Sequence, residues 1–95
     1  MHDRDPLIGN FGHDKHRCRA DQALLMLQKV ASIVKPIMRQ RGWKVGMLAE
    51  MYPQQANLLG LNYDRGRRIQ LRLRYARDDT LFLPFEEVVD TMLHE

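Results

Sequence analysis

The 95-residue sequence has a single cysteine, Cys18, so no disulfide can form within the chain, and this usage fits a reducing compartment. No apolar run is long enough to span a bilayer. The first residues, Met1-His2-Asp3-Arg4-Asp5-Pro6, lack the apolar core of a secretory signal. Internal repeats, low-complexity tracts and linker-like stretches are missing as well, which leaves one small domain or a piece of one. Positive charge is absent from residues 78–95, which hold six Asp and Glu and no Lys or Arg. Residues 1–77 hold all 15 Lys and Arg against six acidic residues, so the net charge of +3 divides into +9 and −6. An anionic partner would dock on the earlier part, and the acidic end is excluded as its contact surface.

What is present suits a packed globular chain: 44% of residues are apolar and 28% charged. Residues 1–20 carry little periodicity, although Leu7-Ile8-Gly9-Asn10-Phe11 could form a short extended piece. His13, His16 and Cys18 make an H-x-x-H-x-C cluster with three potential ligands, one fewer than a structural zinc site takes. Residues 1–20 are therefore read as a flexible arm, made basic by Lys15, Arg17 and Arg19, that touches nucleic acid or is simply solvated.

From residue 21 the patterns sharpen. Asp21 suits an N-cap, and Ala23, Leu27, Val30, Val34 and Ile37 repeat at helical spacing, with Leu24, Met26, Ile33 and Met38 widening the face. Gln28, Ser32, Lys35 and Arg39 line the other side, so the Ser32 carbonyl freed by Pro36 faces water and a kink is expected rather than a break. Gly42 ends this helix. Trp43 to Leu48 reads as a strand, residues 52–57 as a loop, and Leu58 to Asn62 as a second strand in which Gly60 allows a close backbone approach or a bulge. After the turn Tyr63-Asp64-Arg65-Gly66, residues 67–75 alternate: Ile69, Leu71, Leu73 and Tyr75 on one side, Arg68, Gln70, Arg72 and Arg74 on the other. The predicted fold is α+β: a long N-terminal helix, a three-stranded, mostly antiparallel sheet and a C-terminal helix, with both helices on one sheet face. The other face would then present Arg68, Arg72 and Arg74, either as a solvated strand face or as a sequence-independent contact for DNA phosphates.

The C-terminal helix begins near Pro84, with Glu86 and Glu87 in the first turn, close to the positive end of the helix dipole. Phe85, Val88, Val89, Met92 and Leu93 form its apolar stripe, and His94 falls opposite. His94-Glu95 is the first half of H-E-x-x-H, in which two His bind zinc and the Glu acts as general base; the second His would be residue 98. Two residues alone would usually be a solvated pair.

Several separate stretches raise that reading. Pro36-Ile37-Met38, Arg41-Gly42-Trp43-x-Val45-Gly46, Leu58-Leu59-Gly60-Leu61-Asn62, Arg65-Gly66, Ile69-x-Leu71-Arg72-Leu73-Arg74, Phe82-Leu83-Pro84 and Thr91-Met92-Leu93-His94-Glu95 together resemble the WLM metalloprotease domain. The likeness runs collinearly from about residue 22 to the end. These zinc proteases are related to Spartan and SprT and degrade proteins crosslinked to DNA.

The resemblance implies the N-terminal part of a zincin-like domain over residues 21–95, with His94 as first zinc ligand and Glu95 as the base that takes a proton from the attacking water. It also implies DNA and DNA-crosslinked proteins as partners and a nuclear location. SUMO and an unfolding ATPase would be engaged through segments absent here. The second and third zinc ligands of the family are absent too, so the chain alone is expected to be inactive and to self-associate. The alternative is a non-catalytic basic module that binds DNA or protein.

Overall fold

The computed structural model describes residues 7–95. Its elements are β1 (Ile8–Gly12), α1 (Ala20–Arg41), β2 (Val45–Met51), β3 (Gly60–Tyr63), β4 (Arg68–Arg72), β5 (Arg74–Tyr75), β6 (Asp78–Phe82) and α2 (Phe85–Leu93). The α+β class is as expected, but the sheet is not mostly antiparallel. Four strands run in the order β1-β2-β4-β3, with β1 and β4 both parallel to β2, and only β3 antiparallel to its neighbour β4. Parallel pairing needs a crossover, and α1 supplies it between β1 and β2. The hairpin around residues 64–67 is as read, and it places β3 at the sheet edge.

Within residues 1–20, the expected flexible arm is corrected from Ile8 onward: Ile8–Gly12 pairs with Val45–Ala49, and Ile8 is buried in the core. Residues 1–6 of that arm lie outside the described residues. Five residues of mixed polarity carry little local signal for a strand whose partner lies past a whole helix. The long alternating run is also divided. It leaves the main sheet after Arg72, and Arg74-Tyr75 pairs instead with β6 in a separate two-stranded sheet.

Helix α1 buries Ala23, Leu27, Val30, Ala31, Val34 and Met38. Its N-cap is Arg19 rather than Asp21; Asp21 sits in the first turn, where a carboxylate still favours the dipole. The helix runs through Pro36 to Arg41, and the exposed Ser32 hydroxyl donates to the Lys29 carbonyl. At Gly42 the chain turns left-handed, and the Trp43 N–H returns to the Met38 carbonyl at 2.8 Å. Helix α2 opens at Pro84 as N-cap, carries Glu86 and Glu87 in its first turn, and buries Val88 and Met92. Both helices contribute to one core with Leu48, Ile69, Leu71 and Leu73. Each fully buried leucine adds roughly 1.5–3 kcal/mol by leaving water.

One buried ionic network joins the two sheets. Glu50 on β2 has a fully buried side chain and accepts from Arg74 Nε at 2.8 Å and from the Tyr52 hydroxyl. Arg74 Nη1 also donates to the carbonyls of Cys18 at 2.6 Å and Asp79 at 3.1 Å, tying the start of α1 and strand β6 to the same guanidinium. Burial, together with donation to Glu50 and its negative charge, raises the Tyr52 pKa above the ordinary 10.0.

Arg74→Met should destabilise the fold by about 3–5 kcal/mol, because Glu50 would remain as an uncompensated buried charge, and Arg74→Met with Glu50→Gln should recover part of that loss. Urea midpoints check this; an Arg74→Met midpoint equal to wild type refutes it. Because folding raises the Tyr52 pKa, its contribution is full below pH 10.0 and is lost as pH rises beyond it. Tyr52→Phe should therefore flatten the alkaline fall in stability.

Candidate active site

Helix α2 carries its apolar stripe against the core, and the chain keeps the helical path into His94, whose N–H reaches the Asp90 carbonyl at 3.3 Å and the Thr91 carbonyl at 3.1 Å. The His94 side chain is 72% exposed, as its place opposite the stripe predicts. Its Nε2 lies 3.3 Å from Asp90 Oδ1, one turn earlier on the same face. Imidazole and carboxylate here face solvent together, which is the orientation a metal ligand needs.

Glu95 follows with its N–H on the Met92 carbonyl, and its own carbonyl accepts from Asn62 Nδ2 at 3.0 Å. The end of α2 lies directly on edge strand β3 at Gly60. A Cβ there would sit 2.8 Å from Thr91 Cγ2 and 3.0 Å from the Glu95 carboxyl carbon. The close backbone approach expected at Gly60 is not what is found: the space a Cβ would take is filled by the side chains of Thr91 and Glu95. Among the described residues the outer edge of β3 has no strand partner, so an extended peptide could add there beside Glu95. A cleft of about 410 Å³ opens next to it, lined by Trp43, Lys44, Asn62, Arg65, Met92 and Glu95 among others.

The remaining candidates divide sharply. Arg72 and Arg74 are 7% and 3% exposed, and the expected open arginine face does not exist at these two positions. Arg72 donates from Nε to the Leu58 carbonyl at 3.1 Å and from Nη2 to the carbonyls of Pro53 and Gln55 at 2.9 Å each. It organises the loop before β3, as Arg74 does the β5–β6 region, and neither is placed to meet a phosphate. Only Arg68 is exposed, with its guanidinium 4.6 Å from the centre of the Tyr63 ring. Strand alternation separates Arg68 and Arg72 from Ile69 and Leu71, but it carries no sign that a loop would cover Arg72 or that Arg74 would leave the sheet for Glu50. Asn62 was passed over because a polar residue near a strand end has no pattern of its own.

Among the described residues no three His, Cys, Asp or Glu side chains come together to hold a metal ion. His16 is engaged through its N–H with Asp14 Oδ1, and Cys18 Sγ with the Asp79 carbonyl at 3.7 Å. His94 is a suitable imidazole donor, but by itself it does not make a metal centre.

The profile of the WLM domain matches residues 6–95. The chain is 41% identical to the DNA-dependent metalloprotease WSS1 of Saccharomyces cerevisiae over 97% of its own length and 34% of that protein. It is 37% identical to the DNA-dependent metalloprotease WSS1 homolog 2 of Schizosaccharomyces pombe, over 79% of the chain and 29% of the relative. The chain thus spans about a third of the length of these curated relatives. The crystal structure of Wss1 from Saccharomyces cerevisiae superposes with a TM-score of 0.92 at 37% identity, covering 95% of this chain and 70% of that one.

The contact at Gly60 is directly testable. Gly60→Ala should push the end of α2 off β3, cost about 1–3 kcal/mol as overpacking does, and shift the backbone amide resonances of His94 and Glu95. Unchanged resonances at both residues would disprove the contact.

Proposed function

The chain belongs to the WLM domain family, and from that premise we propose that it is the N-terminal part of a zinc-dependent peptidase that hydrolyses proteins attached to DNA. The observation that carries the reading is the solvent-facing His94-Glu95 pair at the end of α2, set beside edge strand β3. In this reading His94 donates one nitrogen to zinc, a metal suited to imidazole ligands and free of redox chemistry. Bound zinc would supply Lewis-acid polarisation of a water molecule. Glu95 would take the proton from that water and later deliver it to the leaving amine. The edge of β3 holds the substrate backbone extended, so that the scissile carbonyl lies near Glu95. The apolar side of α2 keeps both residues out of the core, with His94 in solvent and Glu95 lining the cleft.

The proposal extends to DNA and DNA-crosslinked proteins as partners, and to a nuclear location. SUMO and an unfolding ATPase belong to it through segments beyond these residues. A non-catalytic basic module remains the competing reading, supported by the +9 surplus of residues 1–77.

Two measurements separate them. The 95-residue chain should bind zinc only weakly, because one imidazole is far from the three protein ligands of a catalytic site; a tight, stoichiometric zinc titration would overturn this. In a longer polypeptide that supplies the remaining ligands, Glu95→Gln should retain the metal and lower cleavage of a DNA-bound protein by about 10²–10⁴-fold. Undiminished cleavage would remove Glu95 from the chemistry, and no cleavage by the unmutated polypeptide would favour the binding module.

A further inference from the structure

With Arg72 and Arg74 buried, exposed basic charge gathers at the β3–β4 turn. Between Tyr63 and Arg68 the chain carries Arg65, Arg67 and Arg68 against Asp64 alone, and all four are exposed. Arg67 is 82% exposed and makes only a solvent-screened pair with Asp64 at 3.6 Å. Arg65 has no hydrogen-bond or ion-pair partner among the described residues. Tyr63 is 40% exposed, and the Arg68 guanidinium over its ring makes a composite flat surface of the kind on which nucleobases stack. The exposed Trp43, with the Arg41 guanidinium 5.0 Å from its ring centre, lines the same cleft as Arg65.

At the tip of the turn, Asp64, Arg65 and Gly66 have φ of 53°, 55° and 90°, three left-handed residues in succession. Glycine would adopt this at Arg65 without strain, yet an arginine stands there. Neighbours hold the turn firmly: the Gly46 N–H reaches the Gly66 carbonyl at 2.9 Å, and the Met47 N–H the Arg67 carbonyl at 3.0 Å. Positive φ at successive residues is the ordinary geometry of a tight hairpin turn, and here it holds the Arg65 side chain out in solvent.

One side chain links this tip to the end of α2. Asn62 Oδ1 accepts from the Gly66 N–H at 2.7 Å, and Asn62 Nδ2 donates to the Glu95 carbonyl at 3.0 Å. Any ligand that shifts the turn acts on the residue that also holds Glu95.

We infer that the Tyr63–Arg68 turn is a contact site for single-stranded DNA, and that Asn62 transmits its occupancy to Glu95. Arg65 and Arg67 meet backbone phosphates, and the Tyr63–Arg68 surface receives a base. The site reads no sequence, since stacking accepts every base and phosphate contacts carry no base information. The inference rests on the DNA-associated half of the proposed function and is independent of the peptidase chemistry.

Fluorescence anisotropy of a labelled oligothymidylate with the 95-residue chain, repeated over a salt series, tests it. Arg67→Ala should weaken binding and reduce the salt slope by about 0.7. Tyr63→Ala should weaken single-strand binding by about tenfold and duplex binding less. Arg65→Gly should raise the melting temperature while lowering affinity, a pair of opposite effects that a purely structural residue does not produce. Arg39→Ala, on the exposed face of α1, should leave binding unchanged.

Wild-type binding with all three turn variants unaltered overturns the site and leaves the family reading intact. No binding of single-stranded DNA by the wild-type chain overturns the site together with the DNA half of that reading. In amide spectra the oligonucleotide should shift Gly66 and Glu95 together, and Asn62→Ala should abolish the Glu95 shift while Gly66 still responds. An equal Glu95 shift in Asn62→Ala overturns the transmission.

Discussion

The Arg74 guanidinium holds several separate parts of the structure together. It neutralises Glu50 inside the protein and simultaneously ties down the Cys18 and Asp79 carbonyls. Those three partners lie on β2, at the entry to α1 and on β6, so one side chain sets the small sheet and the first helix against the main sheet. Such a pair is not a large net source of stability, because desolvating two charges consumes most of their attraction. Its consequence is specificity of arrangement: any packing that separates the partners leaves a bare charge in the interior. The path to α2 follows directly, since β6 pairs with β5 and the Leu83 N–H closes on the Leu73 carbonyl at 2.7 Å just before the helix begins.

From that starting point α2 has little freedom. Its apolar stripe docks on the core, and its last turn rests on Gly60 with no room for a methyl group between them. The same contact brings Glu95 beside edge strand β3, so the Glu95 carboxyl and that strand are brought together by the packing of α2. Asn62 adds a polar tie at the same point, joining the helix end to the β3–β4 turn.

The arginines show how a correct pattern can suggest the wrong environment. Arg68 and Arg72 share one side of β4, but the alternation ends with that strand: Arg74 lies on β5 and reaches Glu50, whose register partner is Leu71 on the opposite side. Arg72 spends its donors on three carbonyls of the 53–58 loop, Arg74 is locked to Glu50, and Arg68 alone meets solvent beside Tyr63. Period two reports which side of a strand a residue occupies. It does not report what covers that side, because the covering loop is specified elsewhere in the chain.

Periodicity and local chemistry were enough, from the amino-acid order alone, for the two helices, the hairpin around residues 64–67, the outward direction of His94 and the small residue needed at position 60. Each of these depends on neighbours within a few positions: a helical repeat, a turn sequence, a missing side chain. Strand order, the membership of Ile8–Gly12 in the sheet, the burial of Arg72 and Arg74 and the Asn62 link to Glu95 were decided only when the chain folded. Glu50 and Arg74 stand 24 residues apart and Asn62 and Glu95 33 apart. Interactions across such distances exist only once packing has brought the segments together, and no local repeat along the chain encodes them.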